Sequence, residues 1–255
     1  MKLESFGTTD VGRKRAHNED SLSISDELRL FIVADGMGGH NAGEVASSTA
    51  VDTIQQFIRR CVKDKDFTWP FGINPNISEE ANILITAIRI ANRNVCVKAA
   101  EHYDYTGMGT TVVALYVEDD SIAHIAHVGD SRAYLVRNGT ISQITIDHSW
   151  ISEQIQKNII SQEDARNHRW KNVITRALGN KINVDIDLNT IQMQTDDLIL
   201  LCTDGLSTML DDSEILKILT DAEGKTDRAC KSLIQTANDK GGLDNITVIL
   251  LKCME

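Results

Sequence analysis

Four aspartates carry most of the chemical information in this 255-residue chain: Asp20 in HNED, Asp35 in LFIVADGMGGH, Asp204 in LLCTDGL and Asp244 in GGLDN. Each stands at a strand end or in a loop beside one. An ionised carboxylate at the edge of a core needs a partner, because its desolvation is otherwise costly. One partner fits all four: a hard divalent cation of the Mg²⁺ or Mn²⁺ type, held by oxygen ligands. Asp35 can bridge two cations with its two oxygens. Gly36 can add its backbone carbonyl, since no side chain blocks a close approach. Two such cations about 3.5–4 Å apart lower the pKa of a bridging water and generate hydroxide at neutral pH. Taken singly, Asp-Gly is most often a turn, and Asp204-Gly205 alone reads that way. The set of four, in these contexts, is harder to explain as turns. Arg15 lies five residues before Asp20 on a segment that reads as extended. It has two readings. Its guanidinium can grip a phosphate bidentately, or it is one surface arginine beside Arg13 and Lys14, the commoner case on spacing alone.

The elements that must position these groups can be sketched from apolar patterning. Strand-like runs cover Leu30–Ala34, Thr110–Val117, Ile122–Val128, Arg132–Val136, Val184–Ile191, Leu198–Cys202 and Ile246–Leu251. Asn138-Gly139 signals a tight hairpin. A helix opens near Ala42, with one apolar stripe running through Ile54 and Ile58. Ser78 is placed to cap a second helix with Glu79 and Glu80 in its first turn. Ala229, Leu233 and Ala237 mark a last helix, which Gly241-Gly242 ends. Residues 63–76 hold both prolines and read as a loop, and 148–170 read as a small helical insertion. Strands grouped apart from helices imply an α+β layered fold, and the length suits one domain, 1–255.

Composition removes several function classes. The net charge of −11 argues against nucleic-acid or anionic-membrane binding, which need a basic footprint. An anionic substrate must then be drawn in by local cations. No apolar run reaches the roughly 20 residues of a membrane span, and the N-terminus lacks the apolar core of a signal peptide. Five cysteines without a CxxC fit a reducing cytoplasm and speak against a zinc–thiolate site.

The ordered motifs resemble the metal-dependent type 2C serine/threonine protein phosphatases, particularly their bacterial branch. They are R-x-x-NED (15–20), ADGMGGH-x-AGE (34–44), GTT (109–111), VGDSRAY (128–134), DHS (147–149), ITRALG (174–179), TDGL (203–206) and GG-x-DNIT (241–247). The resemblance implies a four-layer α-β-β-α sandwich, two stacked antiparallel sheets flanked by helices, with metals in a cleft at one edge. It implies that Asp35, Asp204 and Asp244 ligate one metal, and that Asp35 and the Gly36 carbonyl hold a second. Glu19 and Asp20 would hold metal-bound waters, and Arg15 would bind the substrate phosphate. Asp130, with Asp204, would form a weaker third site, so two or three Mn²⁺ or Mg²⁺ ions are expected. Residues 148–171 correspond to the flap, a variable subdomain that contacts substrate. Met37 stands where eukaryotic members carry a histidine proposed as general acid. His40, three residues further on, is as well explained by packing at the start of the following helix.

The expected activity is hydrolysis of phosphoserine and phosphothreonine monoesters on proteins. A metal-bridging hydroxide attacks in line, without a phosphoenzyme. No CxxxxxR loop is present to support a cysteine nucleophile. Expected partners are phosphorylated proteins, including a Ser/Thr kinase by family habit, with a monomeric, cytoplasmic enzyme. Two rivals stand beside it: a catalytically weak phosphoprotein-binding regulator of the same fold, and a metal-dependent nuclease. The intact acidic set disfavours the first. The acidic charge and the lack of an aromatic–basic strip disfavour the second.

Overall fold

The computed structural model describes residues 2–39, 42–64, 68–118, 121–161, 164–165, 168–170 and 173–255. Two antiparallel sheets stack face to face. The first has the order β1 (Lys2–Asp10), β11 (Ile246–Met254), β10 (Leu198–Cys202), β7 (Arg132–Arg137), β8 (Thr140–Gln143). The second has the order β2 (Asp20–Ser25), β3 (Leu30–Met37), β5 (Val112–Val117), β6 (Ile122–Val128), β9 (Asp187–Gln192), and the short β4 (Gly109–Thr110) pairs with the end of β3. Helices α1 (Ala42–Lys63) and α2 (Glu79–Glu101) cover the second sheet. Helices α5 (Asp212–Asp221) and α6 (Thr226–Asp239) cover the first. Two shorter helices, α3 (Trp150–Gln156) and α4 (Asp204–Ser207), lie between strands in the chain. The four-layer sandwich is the one expected. No helix among the described residues is long and apolar enough to cross a membrane.

The period-2 alternation of strand side chains builds three cores from this layering. On β3, Leu30, Ile32 and Ala34 face the helices, while Phe31 and Val33 face the other sheet. On β10, Leu200 and Cys202 face α5 and α6, and Ile199 and Leu201 point between the sheets. On β11, Val248 and Leu250 go one way, and Ile249 and Leu251 the other. Both faces of these strands are buried, which is why the sequence shows continuous apolar runs there.

Local signals acted as read. The Ser78 hydroxyl accepts a hydrogen bond from Ala81 N and caps α2. Asn138 and Gly139 both take positive φ, 51° and 72°, the geometry of a tight hairpin turn. Ser149 caps α3 inside the expected insertion. Other features differ. The strand expected at Val184–Ile191 begins only at Asp187. Strands β1 and β2 had no apolar run to announce them, because their sequences, KLESFGTTD and DSLSIS, are two-thirds polar. Helix α5 is announced by a capping box between Asp211 and Glu214. The segment around Arg15 is not extended: it is a turn, held by Arg13 N donating to Gly242 O (2.7 Å) and by Asn245 Nδ2 donating to Val11 O and His17 O (both 2.9 Å).

Candidate metal centre

The site begins with strand parity. Asp35 shares its face of β3 with Phe31 and Val33, so its carboxylate points into the space between the sheets. Asp20 is its direct cross-strand partner in β2 and shares its face with Leu22 and Ile24. The inter-sheet core thus ends, at one edge, in two carboxylates. The opposite sheet answers with two threonines: Thr203 Oγ1 and Thr247 Oγ1 both donate to Asp20 Oδ2, at 2.9 and 2.6 Å.

Loops at the same edge add the remaining acids. Asp204 opens the short α4 just after β10, within hydrogen-bond reach of Asp35. Gly205 presses against the Asn245 carbonyl so closely that no Cβ could fit, which fixes the Asp204 and Asp244 loops against each other. Asp244 Oδ1 accepts from Asn245 N (2.8 Å), and its Oδ2 accepts from Arg15 Nη2 (2.7 Å). Asp130 sits in the tight connection from β6 to β7, which crosses between the sheets. Ser131 Oγ bonds Thr111 Oγ1 (2.7 Å), and Thr111 Oγ1 accepts from Asp35 N (3.0 Å), tying that connection to β3. Gly36 is packed between the Gly43 and Glu19 carbonyls with no room for a side chain, and its N–H donates to Glu19 O (3.1 Å). Arg132 grips Asp147 with Nε and Nη2 (2.7–3.1 Å) and donates from Nη1 to Tyr134 OH (2.8 Å), fixing the residue that leads into the flap.

The electrostatics are those of a site built for cations. Burial, then the repulsion of neighbouring carboxylates, pushes Asp130 up to about 8. Asp20 rises to about 7, again through burial before its acidic neighbours. Asp204 rises to about 6 through burial and the charge of Asp244. Asp35 stands well above the usual carboxylate range through burial, then Asp20, Asp204 and Asp130. Burial also raises Glu19. Asp20 Oδ1, Asp204 Oδ1 and Glu19 Oε1 are buried without a hydrogen-bond partner among the described residues. An orphaned buried acceptor carries its full desolvation cost, and a divalent cation relieves that cost together with the mutual repulsion. All-oxygen donors, most of them carboxylates, fit Mg²⁺ or Mn²⁺.

The structure therefore brings together Asp20, Asp35, Gly36, Asp130, Asp204 and Asp244, with Glu19 and Arg15 at the rim. Of the two readings of Arg15, it supports neither a free surface charge nor an open phosphate grip: the guanidinium is half exposed and already paired with Asp244. His40 lies outside the described residues. Met37 pairs with Gly109 at the end of β3. His124 is buried on β6 and bonded to Ser78, Glu118 and Thr190. Sequence reasoning did not single out Thr203, Thr247, Thr111, Asn245 or the Arg132–Asp147 fork. Their signal was adjacency, since each sits in one of the ordered motifs.

The Protein phosphatase 2C family profile matches residues 10–246. The serine/threonine phosphatase stp of Listeria welshimeri is 39% identical over 251 residues, covering 96% of this chain and 93% of that protein. Among solved structures, the catalytic domain of the serine/threonine protein phosphatase PstP in complex with two manganese ions superposes with a TM-score of 0.83 at 32% identity, covering 99% of both chains. The serine/threonine phosphatase Stp1 from Staphylococcus aureus does so with a TM-score of 0.86 at 34% identity, covering 100% of this chain and 96% of that one. With a family match over nearly its whole length and relatives of this similarity, the chain belongs to the protein phosphatase 2C family and is a protein-serine/threonine phosphatase.

Proposed function

We propose that the chain hydrolyses phosphoserine and phosphothreonine monoesters at the cluster built by Asp20, Asp35, Asp130, Asp204 and Asp244. One observation carries this reading: five acids from both sheets converge, two of them with buried oxygens that no group among the described residues satisfies. Asp35, Asp204 and Asp244 would hold one ion, Asp35 and the Gly36 carbonyl another, and Asp130 with Asp204 a third, weaker one. Bound there, Mn²⁺ or Mg²⁺ supplies hydroxide at neutral pH and Lewis acidity toward phosphoryl oxygens. Glu19 at the rim and the buried Asp20 would orient water, and the two threonines hold the Asp20 carboxylate in one rotamer. Arg15 exchanges Asp244 for the substrate phosphate, or bridges both, and holds the ester in line for attack.

No cysteine is suited to a phosphoenzyme route. Burial pushes the thiols of Cys202 and Cys230 up to about 12 and those of Cys61 and Cys253 up to about 11, and it raises Cys96. Direct displacement by water is the route that an acidic, cation-binding cluster supports. Substrates are phosphorylated proteins, a Ser/Thr kinase among them, and the enzyme works as a cytoplasmic monomer.

The test is turnover of p-nitrophenyl phosphate and of a phosphothreonine peptide by metal-free protein titrated with Mn²⁺. Hydrolysis that rises with Mn²⁺ and stops on chelation is expected. Silence on both substrates at saturating Mn²⁺ overturns the catalytic reading in favour of a phosphoprotein-binding module.

A further inference from the structure

A groove of about 770 Å³ opens at Asp130 and Asp204 and runs away from them between the flap and the segment from Ser207 to Glu214. Its volume is that of a ligand site. One wall is the flap helix α3, and its lining is unusual in two ways.

The first concerns the apolar residues. Ile151 and Ile155 lie four apart on α3, on one helical face, and both line the groove. Neither belongs to any of the three cores. Trp150 is engaged elsewhere: its ring stacks on His168 (5.0 Å) and meets Trp170 edge-on (4.7 Å). The Trp contacts anchor the helix, and the isoleucine face is left to the groove. Ile146, 53% exposed, continues this surface toward Asp130, and Met209 stands in the lining contributed by the other side.

The second concerns charge. The groove has two bases in its described lining, and each is taken. Arg132 is forked on Asp147, and Lys240 is paired with Glu214. With Asp130 and Asp204 assigned to cations and these two pairs internally neutral, the remaining lining charge is that of Asp211, which caps α5. Among the described residues the groove has no free cation to attract acidic residues. Its surplus is apolar surface, whose burial is favourable in proportion to its area.

Resting on the phosphatase reading above, we infer that this groove is a specificity site for the polypeptide flanking the phosphorylated residue, and that it selects aliphatic side chains and rejects acidic ones. The occupant follows from continuity. A phosphate held by cations at Asp130 and Asp204 would leave the adjoining peptide at the groove, which opens at those two residues. Ile146, Ile151 and Ile155 are the specificity-determining residues, and none of them touches the reacting atoms.

The experiment compares three phosphothreonine peptides with Leu, Ala or Asp at the positions on either side, alongside p-nitrophenyl phosphate, all with Mn²⁺. The expected kcat/KM order is Leu above Ala above Asp, with about tenfold between the extremes, the discrimination one aliphatic side chain commonly gives in an apolar pocket. The variants Ile146→Asn and Ile155→Gln, made separately so that neither alone removes the α3 face, are expected to reduce that ratio to under about threefold. Their turnover of the aryl phosphate, which reaches only the metal centre, is expected to stay at the wild-type level and reports that each variant is folded. Aryl phosphate turnover without peptide selectivity, or selectivity unchanged in both variants, overturns the inference alone. No turnover of any substrate overturns the phosphatase reading and takes this inference with it.

Discussion

Replacing Asp20 by Asn separates the cost of the acidic cluster from its use. Without metal, burial pushes the Asp20 carboxyl up to about 7, against an ordinary value of 3.8. Below the lower value both folded and unfolded chains carry the proton, and the group contributes nothing to pH dependence. Between the two, the fold retains a proton that the unfolded chain has lost, so stability falls as pH rises and the loss is complete above about 7. A rise of roughly three units, at about 1.36 kcal/mol each, corresponds to ~4 kcal/mol. That is a large share of the typical 5–15 kcal/mol of a folded domain. Asn keeps the shape and still accepts from Thr203 and Thr247 through its carbonyl oxygen. Its amide takes the place of the orphaned Oδ1, turning a buried unpartnered acceptor into a donor among carboxylates. The expected result, by urea unfolding in EDTA, is that Asp20→Asn exceeds the wild type by about 4 kcal/mol at pH 8 and by less than about 2 kcal/mol at pH 5. In saturating Mn²⁺ the order narrows or reverses, because the wild type gains more from binding. Equal pH dependence of the two proteins without metal would refute the claim that Asp20 is a destabilised carboxylate awaiting a cation.

Three further substitutions probe separate parts of the centre. Asp204→Asn is expected to lower kcat on p-nitrophenyl phosphate by more than about a hundredfold, beyond the loss usual for a partner that merely orients a metal ligand; wild-type turnover in this variant removes Asp204 from the ligand set. Arg15→Ala is expected to raise KM about tenfold with kcat changed little, the signature of lost ground-state binding to phosphate; an unchanged KM returns Arg15 to a role in neutralising Asp244. Gly36→Ala is expected to lower unfolding free energy by more than about 2 kcal/mol, since its methyl group meets two backbone carbonyls, whereas Gly39→Ala, with open space around it, changes stability by less than about 0.5 kcal/mol. Similar effects of the two alanines on a urea midpoint contradict the close packing of Gly36.

Legibility in the sequence followed the physics of each element. Strands buried on both faces, such as Leu198–Cys202, advertise themselves as unbroken apolar runs. Strands β1 and β2 do not, because both are edges and each is two-thirds polar. Both are held in place by partners far along the chain, Lys2 opposite Met254 and Asp20 opposite Asp35, and no local window contains that information. The acids were visible because Asp and Gly are unusual after apolar strands. Their hydrogen-bonded supports were not, because a threonine within a strand reads as ordinary β-forming sequence. Arg15 looked extended because Val-Gly-Arg-Lys-Arg has no helical period. The turn that holds it is set by Gly242 and Asn245, more than 200 residues away in the chain.

The placement of the five acids also explains why this fold, and not a single sheet, carries the chemistry. Asp20 and Asp35 belong to one sheet, Asp204 and Asp244 to loops of the other, and Asp130 to the connection between them. The distances among them are set by how Phe31, Val33 and Leu115 pack against Ile199, Ile249 and Leu251 between the sheets. Close-packed cores resist sub-ångström change, so the inter-sheet core acts as the ruler of the metal centre. A loop site of the same five acids would relieve its repulsion by spreading apart. Here the cost of spreading is the cost of opening the core, and the carboxylates stay at a spacing that only protons or cations can satisfy. Burial first, and then the neighbouring carboxylates, push the carboxyl pKa values of Asp20, Asp130 and Asp204 upward, and the rigidity that keeps them buried together is what pre-organises the centre for cations.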